Sequence, residues 1–307
     1  MNYNKILIHT FLTEGFMGWG ELFLESLRIH HGEAIRVRVD GCNLTNDNIA
    51  LLKKIYSNIE VHNKLIDMDA AASECNVSLN TFHEWRESIE RGEVTPTNYL
   101  YKIFISVNQR YRNMDKVIDY ARESGYGLLL HSDADIYFRD SMDNLFEIIE
   151  NHDFTILFRD RQEHRLKVLG GLLGFNLNNN IDHFIEIWMS EIDKVPFKER
   201  WMGFGQSVLW FALQKCNELD VADLGTIDKA PKFSKAFEAE KEIWLGNSKV
   251  IKPVKYNALY RCWTDLKNEL PRIPLSDEIA QNRYLEMKIK ALGLGSKILN
   301  KLFSKIT

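Results

Sequence analysis

Three observations predict an α/β protein built on a mostly parallel sheet with flanking helices. The first 64 residues read β-α-β-α-β with short connections, the order that a parallel sheet with crossover helices produces. An apolar run at 127–138, Gly-Leu-Leu-Leu-His-Ser-Asp-Ala-Asp-Ile-Tyr-Phe, then delivers two aspartates at the end of what reads as a buried strand. Beyond it, strand-like and helical stretches go on alternating to about residue 222. The chain has 307 residues, 45% of them hydrophobic, enough to bury one large core or two small ones.

Taken in order, residues 5–9 (Lys-Ile-Leu-Ile-His) read as a short strand, and a Gly-rich turn, Gly15 to Gly20, leads into an amphipathic helix over 21–31. Residues 34–39 form a second strand ending at Asp40-Gly41. Thr45-Asn-Asp opens a helix through about Ser57, and Ile59-Glu-Val is the third strand. Residues 64–96 lose periodicity and read as an irregular or partly helical excursion ending at Pro96. Helices follow at roughly 98–109 and 114–124, ahead of the strand that carries the aspartates. Phe154–Phe158 and 168–176 read as strands, 180–193 and 204–216 as helices, and 220–222 as a short strand.

Lys+Arg 39 against Asp+Glu 43 leaves a net charge of −4, which argues against nonspecific binding of nucleic acid. Cys42, Cys75, Cys216 and Cys262 contain no Cys-x-x-Cys pair, so neither a zinc site nor a redox dithiol is indicated and reduced thiols are expected. No signal-peptide core opens the chain and no window approaches 18 consecutive apolar residues; a cytoplasmic location is the expectation.

Asp133 and Asp135 stand at i and i+2, so both carboxylates point to one side if the chain stays extended there. Mg²⁺ and Mn²⁺ take oxygen ligands and are commonly held by one or two carboxylates plus substrate phosphates. The same triplet also ends strands and caps helices. His131, inside the strand, reads as a hydrogen-bonded core residue. Trp188, Trp201 and Trp210 are candidates for a flat aromatic ligand platform or for core packing.

With these elements placed, residues 4–250 resemble the GT-A glycosyltransferases, enzymes that use nucleotide sugars and carry an Asp-x-Asp metal motif after a central strand. The resemblance rests on the opening pattern through Asp40-Gly41, on Leu128-Leu-Leu-His-Ser-Asp-Ala-Asp-Ile-Tyr, on Leu169-Gly170-Gly171-Leu-Leu-Gly174-Phe-Asn176, and on Trp201-Met-Gly-Phe-Gly205-Gln206. It implies a GT-A domain over 1–270 and a Mn²⁺ or Mg²⁺ cofactor, with Asp135 as direct ligand. Asp133 would contact the metal or the donor's ribose and sugar. It further implies that Thr10 and Asp40 hold the nucleoside, that Lys102 assists, and that Gly170 and Gly171 form a turn and strand framing the donor sugar. The partners implied are a nucleoside-diphosphate sugar and a glycan or lipid-linked acceptor, as in polysaccharide biosynthesis.

Two departures bear on mechanism. Gly205 stands where many members carry an acid, so an inverting reaction would need Asp160, Glu163 or Glu199 as base. Retention, with Gln206 steadying the donor sugar, is the reading this favours. The late metal-binding His of many retaining members is also absent, since the last of nine histidines is His183; Asn247 is the substitute ligand and Lys249 a phosphate contact, in a segment that also reads as a surface turn.

Residues 271–307 form a separate tail. Lys297, Lys301 and Lys305 recur at i, i+4, i+8 opposite Ile298, Leu299, Leu302, Phe303 and Ile306, a basic amphipathic helix. It suits either an anionic membrane, at about 1 kcal/mol per lysine, or docking on protein. The competing functions are a nucleotide-sugar-binding or scaffold protein without catalysis and a haloacid-dehalogenase-type phosphohydrolase, which also places Asp-x-Asp after an apolar strand.

Overall fold

The computed structural model describes residues 2–90, 101, 110–138, 140–159, 167–179, 181–196, 200, 204–235 and 243–245. Lys102, Asp160, Glu163, Glu199, Trp201, Asn247, Lys249, Cys262 and the tail lie outside the described residues, as does the expected helix at 98–109 apart from Tyr101.

The opening half alternates strictly. Strand β1 is Ile6–Thr13, helix α1 Met17–His31, β2 Arg36–Cys42, α2 Asn46–Ile55 and β3 Ile59–Lys64. Thr45 caps α2 as its position suggested, its hydroxyl accepting from the Asn48 amide at 3.2 Å. The Gly-rich turn is not there: α1 starts at Met17, so Gly18 and Gly20 are helical. A side chain at Gly20 would meet Leu12 Cδ1 at 2.6 Å; that glycine admits β1 against the helix. The excursion after β3 contains two helices, α3 Met68–Glu74 and α4 Leu79–Glu90. Asp67 starts the first by accepting from the Ala70 amide at 3.0 Å.

Helix α5, Met114–Glu123, buries Met114, Val117, Ile118 and Ala121, the i, i+3, i+4, i+7 set of an amphipathic helix. It feeds β4, Leu128–Ser132, which is followed by β5 Ile136–Phe138, α6 Asp143–Asn151, β6 Phe154–Phe158, β7 Val168–Asn176, α7 Asp182–Asp193, α8 Phe204–Lys215 and β8 Val221–Asp223. Helix α6 is an addition to the sequence reading; it buries Leu145, Phe146, Ile148 and Ile149.

Among the described residues the main sheet has strand order β3-β2-β1-β4-β7-β6-β8. β7 alone runs antiparallel, to both β4 and β6; the other pairings are parallel. This is the mostly parallel, helix-flanked α/β architecture expected. Both faces are covered: Leu129 joins one apolar cluster with Leu7, Phe175 and Trp188, while Leu128 and Leu130 join the other with Ile6, Ile8 and Phe23. Alternation along a doubly buried strand explains why β4 reads as a continuous apolar run. A small second sheet pairs β5 with β10, Ile243–Leu245, and β10 with β9, Phe233–Lys235. Residues 243–245 are thus a strand rather than part of a surface turn. Among the described residues, no helix is long and apolar enough to cross a membrane.

Candidate functional site

The strand order reverses direction between β1 and β4: β2 and β3 lie to one side of β1, and β4 to the other. In open α/β sheets a crevice forms outside the carboxyl ends of the strands at such a switch point. Asp133 and Asp135 follow β4 there. The chain does not stay extended through them, because the Ile136 amide donates to the Asp133 carbonyl at 3.2 Å and closes a turn. Asp133 and Asp135 therefore share a turn linking the main sheet to the small one, rather than one side of a strand.

Behind this turn, alternation brings polar side chains from three strands onto one face. His9 of β1 stands beside Arg38 of β2 on one side and His131 of β4 on the other. His131 Nε2 accepts from Arg110 Nε at 3.3 Å, so a neutral His131 carries its proton on Nδ1. That Nδ1 lies 2.9 Å from His9 Nδ1, which accepts, leaving His9 Nε2–H to face Asp40 Oδ2 at 3.4 Å. Burial keeps His131 neutral: its pKa is driven well below the usual range by desolvation, and Arg110 and His9 push the same way. Arg38 donates to Asp40 from Nε at 2.7 Å. Burial raises the Asp40 carboxyl, but the contacts with His9 and Arg38 outweigh it and leave the group below the ordinary carboxylate range.

Arg110 stands at the other end of this chain. Its guanidinium pairs with Asp133 Oδ1, donates to the Gly170 carbonyl at 2.9 Å, and stacks on the Tyr111 ring with its centre 4.4 Å from the centroid. Tyr111 donates to the same carbonyl at 3.2 Å; burial pushes its phenol up to about 12, so it remains a donor. Asp133 is raised by burial, against the pull of Arg110. Arg110 is lowered by burial but raised by Asp133, Tyr111 and Asp135, with a net upward shift. It is a permanent cation paired with Asp133 and within the electrostatic reach of Asp135.

Gly170 and Gly171 lie inside β7 and not in a turn. The space a side chain would take is filled by the protein itself: a Cβ at Gly170 would meet the Tyr111 hydroxyl at 2.5 Å, and one at Gly171 would meet Asp133 Oδ2 at 2.5 Å. Gly205, at the start of α8, is likewise covered by the Tyr111 ring, which explains why no acidic side chain stands there. Gln206 lies against Gly170, its Cγ 3.2 Å from the position of a Cβ there. Thr10 does not join the cluster. Its side chain alternates to the opposite face from His9 and is fully buried. Trp188 is also fully buried and stacks on Phe184 at 6.0 Å, which makes it core. Trp210 packs against Phe158 at 6.0 Å and under Lys167 at 5.4 Å. Cys42, Cys75 and Cys216 are buried free thiols.

The carboxylate oxygens of Asp133 and Asp135 are the hard donors that Mg²⁺ and Mn²⁺ prefer, and two carboxylates match sites completed by phosphates. Among the described residues no third His, Cys, Asp or Glu joins them. The pair fits such a cation in kind, with Asp133 already carrying the Arg110 charge. Sequence reasoning missed Arg110, Tyr111 and His9. An Arg-Tyr-Arg run ahead of a helix carries no signal separating it from a solvated helix entrance.

No family model matches the sequence, and no curated protein matches it. Among solved structures, the chain is similar to the galactosyltransferase LgtC in complex with donor and acceptor sugar analogues, at 14% identity and TM-score 0.47 over 87% of this chain and 97% of that one. It is also similar to mouse xyloside xylosyltransferase 1, at 12% identity and TM-score 0.44 over 79% and 97%. A third is the glycosyltransferase GlyE of Streptococcus pneumoniae TIGR4, at 8% identity and TM-score 0.40 over 71% and 44%.

Proposed function

We propose that the protein is a metal-dependent glycosyltransferase that moves a sugar from a nucleoside diphosphate to a glycan or lipid-linked acceptor. The observation that carries this reading is the position of the Asp133–Asp135 turn: it leaves β4 at the switch point of the sheet, at the carboxyl end toward which Asp40 also lies on the parallel strand β2. A crevice of the kind that open α/β sheets form at a switch point, with Asp40 toward one side and Asp133 and Asp135 toward the other, would suit a ligand that has hydroxyls at one end and a cation-bound diphosphate at the other. Asp40, ionised at neutral pH, accepts from the nucleoside's hydroxyls. Asp135 and Asp133 would hold Mn²⁺ or Mg²⁺, which when bound offsets charge building on the leaving diphosphate. Gln206, beside Gly170 and one strand from Asp133, steadies the donor sugar. The Tyr111 ring excludes an acid at position 205, which favours retention over an inverting reaction with a base at that position.

Titration of UDP, GDP, CDP and dTDP, with and without Mn²⁺, into wild type and Asp135→Ala tests the reading. One nucleotide binds in a Mn²⁺-dependent way and loses binding in the variant; binding of none in any condition sinks it. Turnover of the matching nucleotide sugar separates a transferase from a binding protein without catalysis.

A further inference from the structure

We propose that Arg110 is a positioning residue of this site, acting as a built-in cation that holds the Asp133 carboxylate in place and competes with a divalent ion for it. The proposal rests on the reading of Asp133 and Asp135 as a cation and diphosphate site. The guanidinium has its directions of donation assigned: to Asp133 Oδ1, to the Gly170 carbonyl at 2.9 Å, and to His131 Nε2 at 3.3 Å. With the Tyr111 ring beneath it at 4.4 Å, it has one orientation. Its side chain is 14% exposed, less than the 30% of Asp133, so the arginine is the fixed partner and the aspartate the one nearer solvent. A planar fork can serve a carboxylate, a carbonyl and an imidazole at once, whereas an ammonium on a flexible stem cannot keep all three.

The consequence reaches beyond Asp133. Because Arg110 donates to Nε2 of His131, it sets the tautomer of His131, and through the Nδ1 to Nδ1 contact that of His9, which then presents its proton to Asp40. One buried residue thus orients both ends of the proposed donor site, the carboxylate by the diphosphate and the carboxylate by the nucleoside.

The test uses Mn²⁺ alone, followed by its paramagnetic resonance signal, and separately turnover of the nucleotide sugar found above. Arg110→Gln removes the competing charge and is expected to bind Mn²⁺ about tenfold more tightly than wild type, since a unit charge a few Å from the ion weakens its binding at least that much. The gain disappears in the Arg110→Gln, Asp135→Ala double variant. Arg110→Lys keeps the charge and loses the fork: it binds Mn²⁺ as wild type does, but its kcat falls at least about tenfold with KM for the donor changing less. A merely structural role predicts no tighter Mn²⁺ binding in any variant. Mn²⁺ binding by folded Arg110→Gln that is absent or no tighter than wild type overturns the proposal. Should Arg110→Gln not fold, wild-type turnover by Arg110→Lys overturns it. Failure of wild type to bind any nucleotide removes the functional reading and leaves the Mn²⁺ comparison in force.

Discussion

At the amino end of the main sheet, Arg36 pairs with Glu60 at 3.1 Å and both side chains keep about a third of their exposure, 34% and 33%. They line a polar pocket of about 410 Å³ with Tyr3, Asn58 and Tyr120. Toward the carboxyl end of the same sheet, Arg38 pairs with Asp40 at 10% and 17% exposure, and Arg110 with Asp133 at 14% and 30%. Solvent near Arg36 and Glu60 can replace either partner, so that pair is worth about 0–1 kcal/mol. The guanidinium groups of Arg38 and Arg110 are the deeper charges; they cannot trade partners so cheaply, and each is tied into a hydrogen-bonded chain that runs across three strands. Similar side chains thus decorate one end of the sheet and constrain the other.

The largest effect expected from breaking this contrast is in stability. Arg110→Met leaves the Asp133 carboxylate and the Gly170 carbonyl without their main donor and should cost about 3–5 kcal/mol in urea unfolding. Arg36→Met at the amino end should cost no more than about 1 kcal/mol by the same measurement. Equal losses at the two ends would mean that the buried pair is as solvated as the exposed one.

Glycines sharpen the same contrast. Gly205→Ala drives a Cβ into the Tyr111 ring, which is itself fixed by Gly170 and Arg110, so overpacking should cost about 1–3 kcal/mol and lower nucleotide affinity. Gly127 stands at the amino end of β4, where a Cβ would meet the Asn178 side-chain nitrogen at 3.0 Å. That amide can move aside, and Gly127→Ala should change the melting midpoint less than Gly205→Ala does.

Acid sharpens it further. His131 is held neutral by burial, and so is His31, whose Nε2 accepts from the Met142 amide at 3.0 Å. Each has a folded pKa below its unfolded value of about 6.5. Below that pH the unfolded chain binds more protons, so stability falls with decreasing pH, by at most about 1.4 kcal/mol per pH unit for each histidine until its folded pKa is passed. Asp40, with a depressed folded pKa, adds a loss as pH falls from about 3.9 through that folded value. Asp133, raised by burial, opposes it, because its proton uptake favours the folded state. Unfolding between pH 7 and 5 should therefore show a slope that His131→Leu reduces; an unchanged slope would assign it to His31 or to other groups.

How much of this was legible follows from what each residue's neighbours are in sequence. The parallel half was readable because β1, β2 and β3 alternate with helices whose caps and apolar stripes are local, as Thr45 and its bond to Asn48 illustrate. The place of Asp133 and Asp135 just past β4 was readable because an apolar strand announces its own end. Their turn was not, since the bond from Ile136 to the Asp133 carbonyl depends on β5 leaving for a second sheet. The glycines have a common explanation: Gly20 and Gly171 read as turns and Gly205 as the place of a missing acid, yet each makes room for a side chain distant in sequence, Leu12, Asp133 or Tyr111. Arg110 was invisible for the same reason, as its partners lie 21, 23 and 60 residues away.

The smallest effect expected separates position along a strand from the direction of a side chain. Thr10 follows His9 in β1 and lies close to Asp40, yet its side chain turns into the opposite layer, fully buried. Its hydroxyl has no hydrogen-bond partner among the described residues. A buried hydroxyl without a partner costs about 1–3 kcal/mol relative to a methyl group of similar size, and part of that is recovered in dispersion when the methyl replaces it. Thr10→Val should accordingly raise stability by about 1 kcal/mol in urea unfolding and leave nucleotide affinity where it was. Asp40→Asn, only one strand away on the other face, should weaken nucleotide binding with little change in the fold's architecture. If Thr10→Val weakened binding as much as Asp40→Asn does, the hydroxyl would have to turn toward the ligand, and the alternation that separates it from His9 would have to break at the end of β1.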